Sequence, residues 1–229
     1  SGLVAVGYQS ADANTTGDFI TAVGYQALGG NTTGSSNTAL GYYALLANTT
    51  GAQMTGVGYG SFDANTTGYN NTGTGYDSGS ANTTGHSNAA FGAYTLKANT
   101  TGNFNVAVGT ASMQSATTTL GSVAIGYSAM NAVATGDYNV AVGYAAGQLI
   151  TSGDRNLAVG ANALDACTTG QYNVALGNHA LGSLTTAASN TSIGINTMAA
   201  NTTGASNVAV GAYALDSNTT ASNTVAVGV

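Results

Sequence analysis

The sequence has no proline, no tryptophan, a single cysteine and two cations. Charged residues make up 4% of its 229 positions, against about 25% in an ordinary globular domain. Each shortage excludes something. Cys167 alone allows no disulfide framework within the chain. Lys97 and Arg155 cannot make the basic footprint of a nucleic-acid binder. No stretch approaches the roughly 18 apolar residues of a membrane span, and no cationic, apolar leader opens the chain. The net charge of −6 rests on very few groups.

What the chain does contain is Gly, Asn, Thr, Ala and Ser in a fixed phase. Starting at Gly7, glycine recurs at Gly24, Gly41, Gly58 and onward to Gly228 without a missed step. The interval is 17 residues, as in the returns of NTTG at Asn31 and Asn48. Repetition of this kind decides the fold class before any local reading does. The consensus is N-x-A-V-G-Y-x-A-L-x-A-N-T-T-G-x-x, in about thirteen and a half copies. A disordered linker has no reason to hold Val, Leu and Gly in phase.

Within a copy, N-V-A-V-G-Y (139 to 144) alternates with period two, which means strand. Ala27-Leu28 and Ala214-Leu215 read as the start of a second short extended piece, and T-T-G supplies turn chemistry. Two strands and two turns per repeat make one coil of a parallel β-solenoid, or β-roll. The expected fold is all-β, one uninterrupted solenoid over residues 1 to 229 with about 13.5 coils. At about 4.8 Å per coil the rod is about 60 Å long. Its beginning and end in mid-repeat read as a mature product or a segment cut from a longer fibre.

Equivalent positions then stack into columns. Val6, Val23, Leu40, Val108 and Val142, just before the anchor Gly, read as one core ladder. Leu28, Leu45, Leu96, Leu164 and Leu215 read as the facing one. A single coil cannot hide its own apolar face, so stability must come from stacking. The column between, with Ala22, Ala107, Ala141 and Ala175, points the other way. Its uniform small size reads as close contact with a neighbouring chain, or else as tight packing within one chain.

The charged residues fall into columns as well. Asp12, Asp63, Lys97, Asp165 and Asp216 share one; Asp18, His86, Asp137 and Asp154 share another, next to Arg155; Asp77 and His179 share a third. They form no acid–base dyad and no repeated ligand set of the kind calcium-binding turns require. No metal or cofactor is expected, and an enzyme is not.

The triplet Asn residues, Asn14, Asn31, Asn48, Asn65, Asn82, Asn99, Asn201 and Asn218, match the N-x-T glycan acceptor. In the intervening copies the same column holds Ala116, Val133, Ile150, Cys167 and Leu184. A column that accepts Ile and Leu is turned inward or covered, which favours a hydrogen-bonding Asn ladder over glycosylation. Tyr8, Tyr25, Tyr42, Tyr59 and Tyr76 follow the anchor Gly in successive coils. They read either as a ladder that stabilises the sheet or as a platform for cell-surface glycans.

The repeat N-x-A-V-G-Y-x-A-L-x-x-N-T-T-G resembles those of bacteriophage tail-fibre proteins. Its core, N-V-A-V-G (105 to 109) and S-V-A-I-G (122 to 126), is similar to the head repeats of trimeric autotransporter adhesins. The resemblance covers the whole chain. It implies a left-handed parallel β-roll, three chains side by side, and the Ala column at close contacts. The adhesin repeat is nearer fourteen residues, so the corners differ, and no membrane anchor, stalk or self-cleaving chaperone domain accompanies the repeats.

The expected function is a structural fibre segment of an extracellular, cell-surface or virion appendage serving attachment, assembled from copies of itself as a trimer or a head-to-tail filament. The alternative is an ice-binding solenoid using the Thr column Thr15, Thr32, Thr49, Thr66, Thr83 and Thr100. Adjacent Thr-Thr before Gly looks like a corner rather than a flat face.

Overall fold

A computed structural model describes residues 2 to 229. They form 14 short strands and no helix, an all-β parallel solenoid. Two compact units divide the chain, one ending at Thr119 and the other running from Leu120 to Val229. The first carries β1 (Leu3–Val6), β2 (Ile20–Val23), β3 (Thr38–Leu40), β4 (Thr55–Val57), β5 (Thr72–Thr74), β6 (Ala89–Phe91) and β7 (Val106–Val108). The second carries β8 (Val123–Ile125), β9 (Val140–Val142), β10 (Leu157–Val159), β11 (Val174–Leu176), β12 (Thr191–Ile193), β13 (Val208–Val210) and β14 (Val225–Val227).

Inside each unit every strand pairs in parallel with the next, without slippage. Ala22 stands beside Ala39, and Ala141 beside Ala158. The pairing continues around the rest of the coil: Leu45 N–H donates to the Ser61 carbonyl at 3.0 Å and Thr49 N–H to the Thr66 carbonyl at 2.9 Å. Nearly the whole backbone is thereby satisfied by the coil above or below.

Each coil has one strand, not the two expected. The second leg is a chain of turns, because its Leu column sits in the left-handed region: Leu28 at φ 53°, Leu45 at 54°, Leu96 at 48°, Leu164 at 55° and Leu215 at 52°. That conformation costs an L-residue about 1–2 kcal/mol. Burial of the side chain contributes about 1.5–3 kcal/mol and offsets it. The anchor glycine is required for a second reason. Gly41 has φ +140°, and a Cβ there would lie 2.7 Å from the carbonyl carbon of Gly58 in the next coil.

The two sides of the strand are also reversed. Val6 and Leu40 are 57% and 47% exposed, and Val23, Val108 and Val142 are half-buried, so this column faces outward. Ala22, Ala107, Ala141 and Ala175 are fully buried inside their own coil and cannot be a surface between chains. The reason is the width of the interior. Leu28, Leu45, Leu96 and Leu164 fill it completely from the opposite wall, leaving room for no more than a methyl. Leu215 is half-buried. Where the filling residue grows, the strand shrinks. Phe62 replaces Leu in one coil, and Gly73 replaces Ala beside it; a Cβ on Gly73 would come within 2.6 Å of the Phe62 ring. Small size in the Ala column is packing within one chain.

Candidate functional site

Three outer or corner features of the coil carry chemistry. The first is the outward strand face. Each strand from β2 to β13 shows two side chains to the outside, separated by the buried small residue. In the second unit these are almost all aliphatic: Val123 with Ile125, Val140 with Val142, Leu157 with Val159, Val174 with Leu176. In the first, Thr21, Thr38, Thr55, Thr72 and Thr74 share the face with Val and Leu. Neither unit places a charged residue there. Ile125 is 41% exposed. An apolar surface such as the second unit's is uncommon on a monomer.

The second feature is the tyrosine ladder at the corner after the anchor glycine. Tyr8, Tyr25, Tyr42, Tyr59 and Tyr76 are all exposed. Their rings stack at centroid spacings of 5.3, 5.0, 5.2 and 5.0 Å, with interplanar angles of 17°, 9°, 2° and 8°. Tyr43 packs on Tyr42 at 4.0 Å, and Tyr94 meets Tyr76 edge-on at 5.4 Å. The hydrogen bond to Tyr43, then burial, then the charge that neighbouring phenolates would carry, push the Tyr42 phenol up to about 12. Because the rings cover one another, a sugar could not lie on the faces in the middle of the ladder. It would meet ring edges and hydroxyls.

The third is the corner occupied by the NTT triplet. Asn31, Asn48, Asn65, Asn82 and Asn99 are buried. Each Nδ2 donates to the Oδ1 of the Asn one coil earlier, at 2.7–2.9 Å. The same Nδ2 also donates to the carbonyl of the Gly three residues on, as Asn48 does to Gly51 at 2.9 Å. A nitrogen with both hydrogens engaged inside the coil is no glycan acceptor. Asn201 is likewise buried and donates to Gly204. Asn14 and Asn218 are half-buried, bonded to Gly17 and Ala221. Glycosylation of the triplet column is therefore excluded at its buried members in the folded chain. Ala116, Val133, Ile150, Cys167 and Leu184 occupy the same column and are equally buried. Burial pushes the Cys167 thiol up to about 11, leaving it unreactive as a nucleophile.

Beside this ladder the Thr15 column is engaged too. Thr32 Oγ1 donates to the Thr49 carbonyl at 2.9 Å and Thr49 Oγ1 to Thr66 at 2.9 Å. The pattern repeats from Thr66, Thr83 and Thr100. These hydroxyl hydrogens are spent along the stack rather than presented outward.

A second Asn ladder, which the sequence pattern does not single out, lies at the corner before the strand. The leading Asn of the consensus, in Asn88, Asn105, Asn156, Asn173 and Asn207, is buried there. Its amide supports two coils at once. Asn173 Nδ2 donates to Asn156 Oδ1 at 3.1 Å and to the Ala187 carbonyl at 2.9 Å, while Asn173 Oδ1 accepts the Asn190 backbone N–H at 3.0 Å. Its trace in the sequence is an Asn held in phase immediately before the apolar triplets, with Met54 and Ser122 among its few replacements.

Among the described residues no three potential metal ligands gather, and no helix is long and apolar enough to cross a membrane. Comparison of this chain with protein-family models, with curated proteins and with solved structures finds no match.

Proposed function

We propose that this chain is a structural fibre segment of an extracellular or virion appendage, of the tail-fibre or adhesin kind, that serves attachment and packs side by side on copies of itself. The observation that carries the reading is the outward strand face, without charge throughout and almost wholly aliphatic in the second unit. A second copy is the partner that fits it best. The face repeats once per coil over many coils, and only a chain with the same rise per coil can keep its side chains in step with it along the whole length. The absence of charge also gives a charged partner nothing to pair with. The tyrosine ladder lies at a corner beside this face, where its edges and hydroxyls remain open to cell-surface glycans.

The test is mass and shape in solution. The wild-type chain should sediment as a multiple of 22.2 kDa and appear elongated by electron microscopy. Val142→Glu combined with Val159→Glu puts carboxylates on the outward face and should yield the monomer with an unchanged β circular-dichroism spectrum. A wild-type monomer at every concentration, above all one that shapes ice crystals, would overturn the reading. So would a double variant that assembles as the wild type does.

A further inference from the structure

The tyrosine ladder does more than stabilise stacking, and its geometry points to a covalent use. We infer that Tyr8, Tyr25, Tyr42, Tyr59 and Tyr76 form a track for oxidative cross-linking, in which neighbouring coils are joined by dityrosine bonds under a one-electron oxidant such as a haem peroxidase with hydrogen peroxide. Three observations lead there. All five phenols are exposed, so an oxidant reaches them without opening the fold. The rings are nearly parallel, with centroids 5.0–5.2 Å apart, so each ring faces the next along the stack. The backbones beneath are locked in register, as where Tyr43 N–H donates to the Tyr25 carbonyl at 3.0 Å and Gly60 N–H to the Tyr42 carbonyl at 3.0 Å. Two radicals made on adjacent rings thus meet each other before they meet another molecule.

The chemistry balances simply. Each of two neighbouring phenols gives one electron and one proton to the oxidant. The two radicals join ortho carbon to ortho carbon. The ring hydrogens at the joined carbons move to oxygen and restore both aromatic systems. Hydrogen peroxide accepts the two electrons and two protons and leaves as two waters. Each bond lowers the mass of the chain by two hydrogens.

Other tyrosines of the same chain provide the control. Tyr138 and Tyr172 are comparably exposed, but Arg155 stands between them, its guanidinium 5.4 and 5.7 Å from the two rings. Tyr213 is exposed and has no ring stacked on it among the described residues. These should couple poorly.

The experiment treats the intact chain, at low concentration, with peroxidase and hydrogen peroxide. Dityrosine fluorescence is followed, and the linked peptides are mapped by mass spectrometry after a non-tryptic digest. The expected result is intramolecular links along the ladder, including Tyr43 and Tyr94 packed against it, and between Tyr127 and Tyr144, which are exposed and stacked in the same way at 5.6 Å and 11°, with a yield independent of protein concentration. Tyr42→Phe keeps the ring and the stack but removes the phenol. It should abolish the Tyr25–Tyr42 and Tyr42–Tyr59 links and leave Tyr8–Tyr25 and Tyr59–Tyr76. Links that involve Tyr138, Tyr172 or Tyr213 as often as the ladder would overturn the inference. Links only between molecules, or none, would overturn it as well.

Discussion

The NTT corner is built in two ways. In the first unit its buried column is a row of amides, from Asn31 to Asn99, each hydrogen-bonded to the one before. In the second unit the coils of Val133, Ile150, Cys167 and Leu184 fill the same column with apolar groups, equally buried. The backbone is the same in both: Thr49 N–H donates to the Thr66 carbonyl at 2.9 Å, and Thr151 N–H to the Thr168 carbonyl at 2.9 Å. The position therefore selects for size and concealment, and the chemistry that fills it is secondary. What differs is tolerance. An apolar filler needs only to fit. An amide must also find partners, either in its neighbours along the row or, as at Asn201 after Leu184, in the Gly three residues on. At the end of the row one partner is missing. Asn99 Oδ1 is buried and takes no hydrogen bond among the described residues, its column continuing as Ala116.

The largest break in the comparison should come from glycine. A Cβ on Gly68 would strike the Gly85 carbonyl oxygen and Asn65 Oδ1, and would lie 3.0 Å from Asn82 Nδ2. Gly68→Ala should cost more than about 4 kcal/mol, in the range of severe steric change. At the same column beside Leu184 the chain already carries Ala187. There Ala187→Gly should cost only about 1 kcal/mol. Chemical denaturation followed by circular dichroism measures both, and a loss of only about 1 kcal/mol for Gly68→Ala would show that the next coil yields to the added methyl.

Next in size is the row itself. Asn65→Leu leaves Asn48 Oδ1 without its donor and Asn82 Nδ2 without its acceptor. A cost of about 3 kcal/mol follows from two unpaired buried groups. Ile150→Val, in the other unit, should cost about 1 kcal/mol. Replacing Asn31, Asn48, Asn65, Asn82 and Asn99 together by Leu should cost clearly less than the sum of the five single changes, because neighbours no longer strand each other. Simple additivity would mean that the amides act independently.

The smallest effect compares two acids at one position. Asp63 sits near Asp77, and the equivalent Asp165 sits near His179. Burial raises the carboxyl of both; the Asp77 charge raises Asp63 further, whereas His179 pulls Asp165 back. A carboxyl raised in the folded chain stabilises it below the ordinary carboxylate range. That contribution is lost as pH rises through the folded value. Asp63→Asn should flatten the loss of stability between acid and neutral pH, and Asp165→Asn should flatten it less. Stability measured across that window in the two variants decides the order.

Much of this architecture was legible in the sequence because the period is unbroken. Gly7 to Gly228 set the coil length, and Ile150 and Leu184 in the Asn column showed that the column is concealed. The side of the strand was not legible. Alternation of Val and Ala separates two faces without saying which is inside, and hydrophobicity points to the larger residue. The interior is instead filled by Leu28, Leu45 and their equivalents from a leg that sits in the left-handed region. Nothing in a local pattern of Ala-Leu reports that conformation. The tyrosine stack was readable as a column; that its rings cover one another's faces depends on side-chain angles that only the folded corner sets.

The two side-chain rows of the NTT corner also have an electrical sense. Every Asn amide donates toward the preceding coil, from Asn31 to Asn14 and finally from Asn99 to Asn82. Every adjacent Thr hydroxyl donates toward the following coil, from Thr15 to Thr32 and finally from Thr100 to Thr117. A line of like-oriented amides polarises itself, each bond strengthening the next. Beside it runs a line of hydroxyl dipoles of opposite sense. Antiparallel lines attract where they touch and cancel at a distance. The corner is thus ordered electrically along its length, with its two side-chain rows opposed and its backbone N–H groups, as at Thr49 and Thr50, pointing with the hydroxyls.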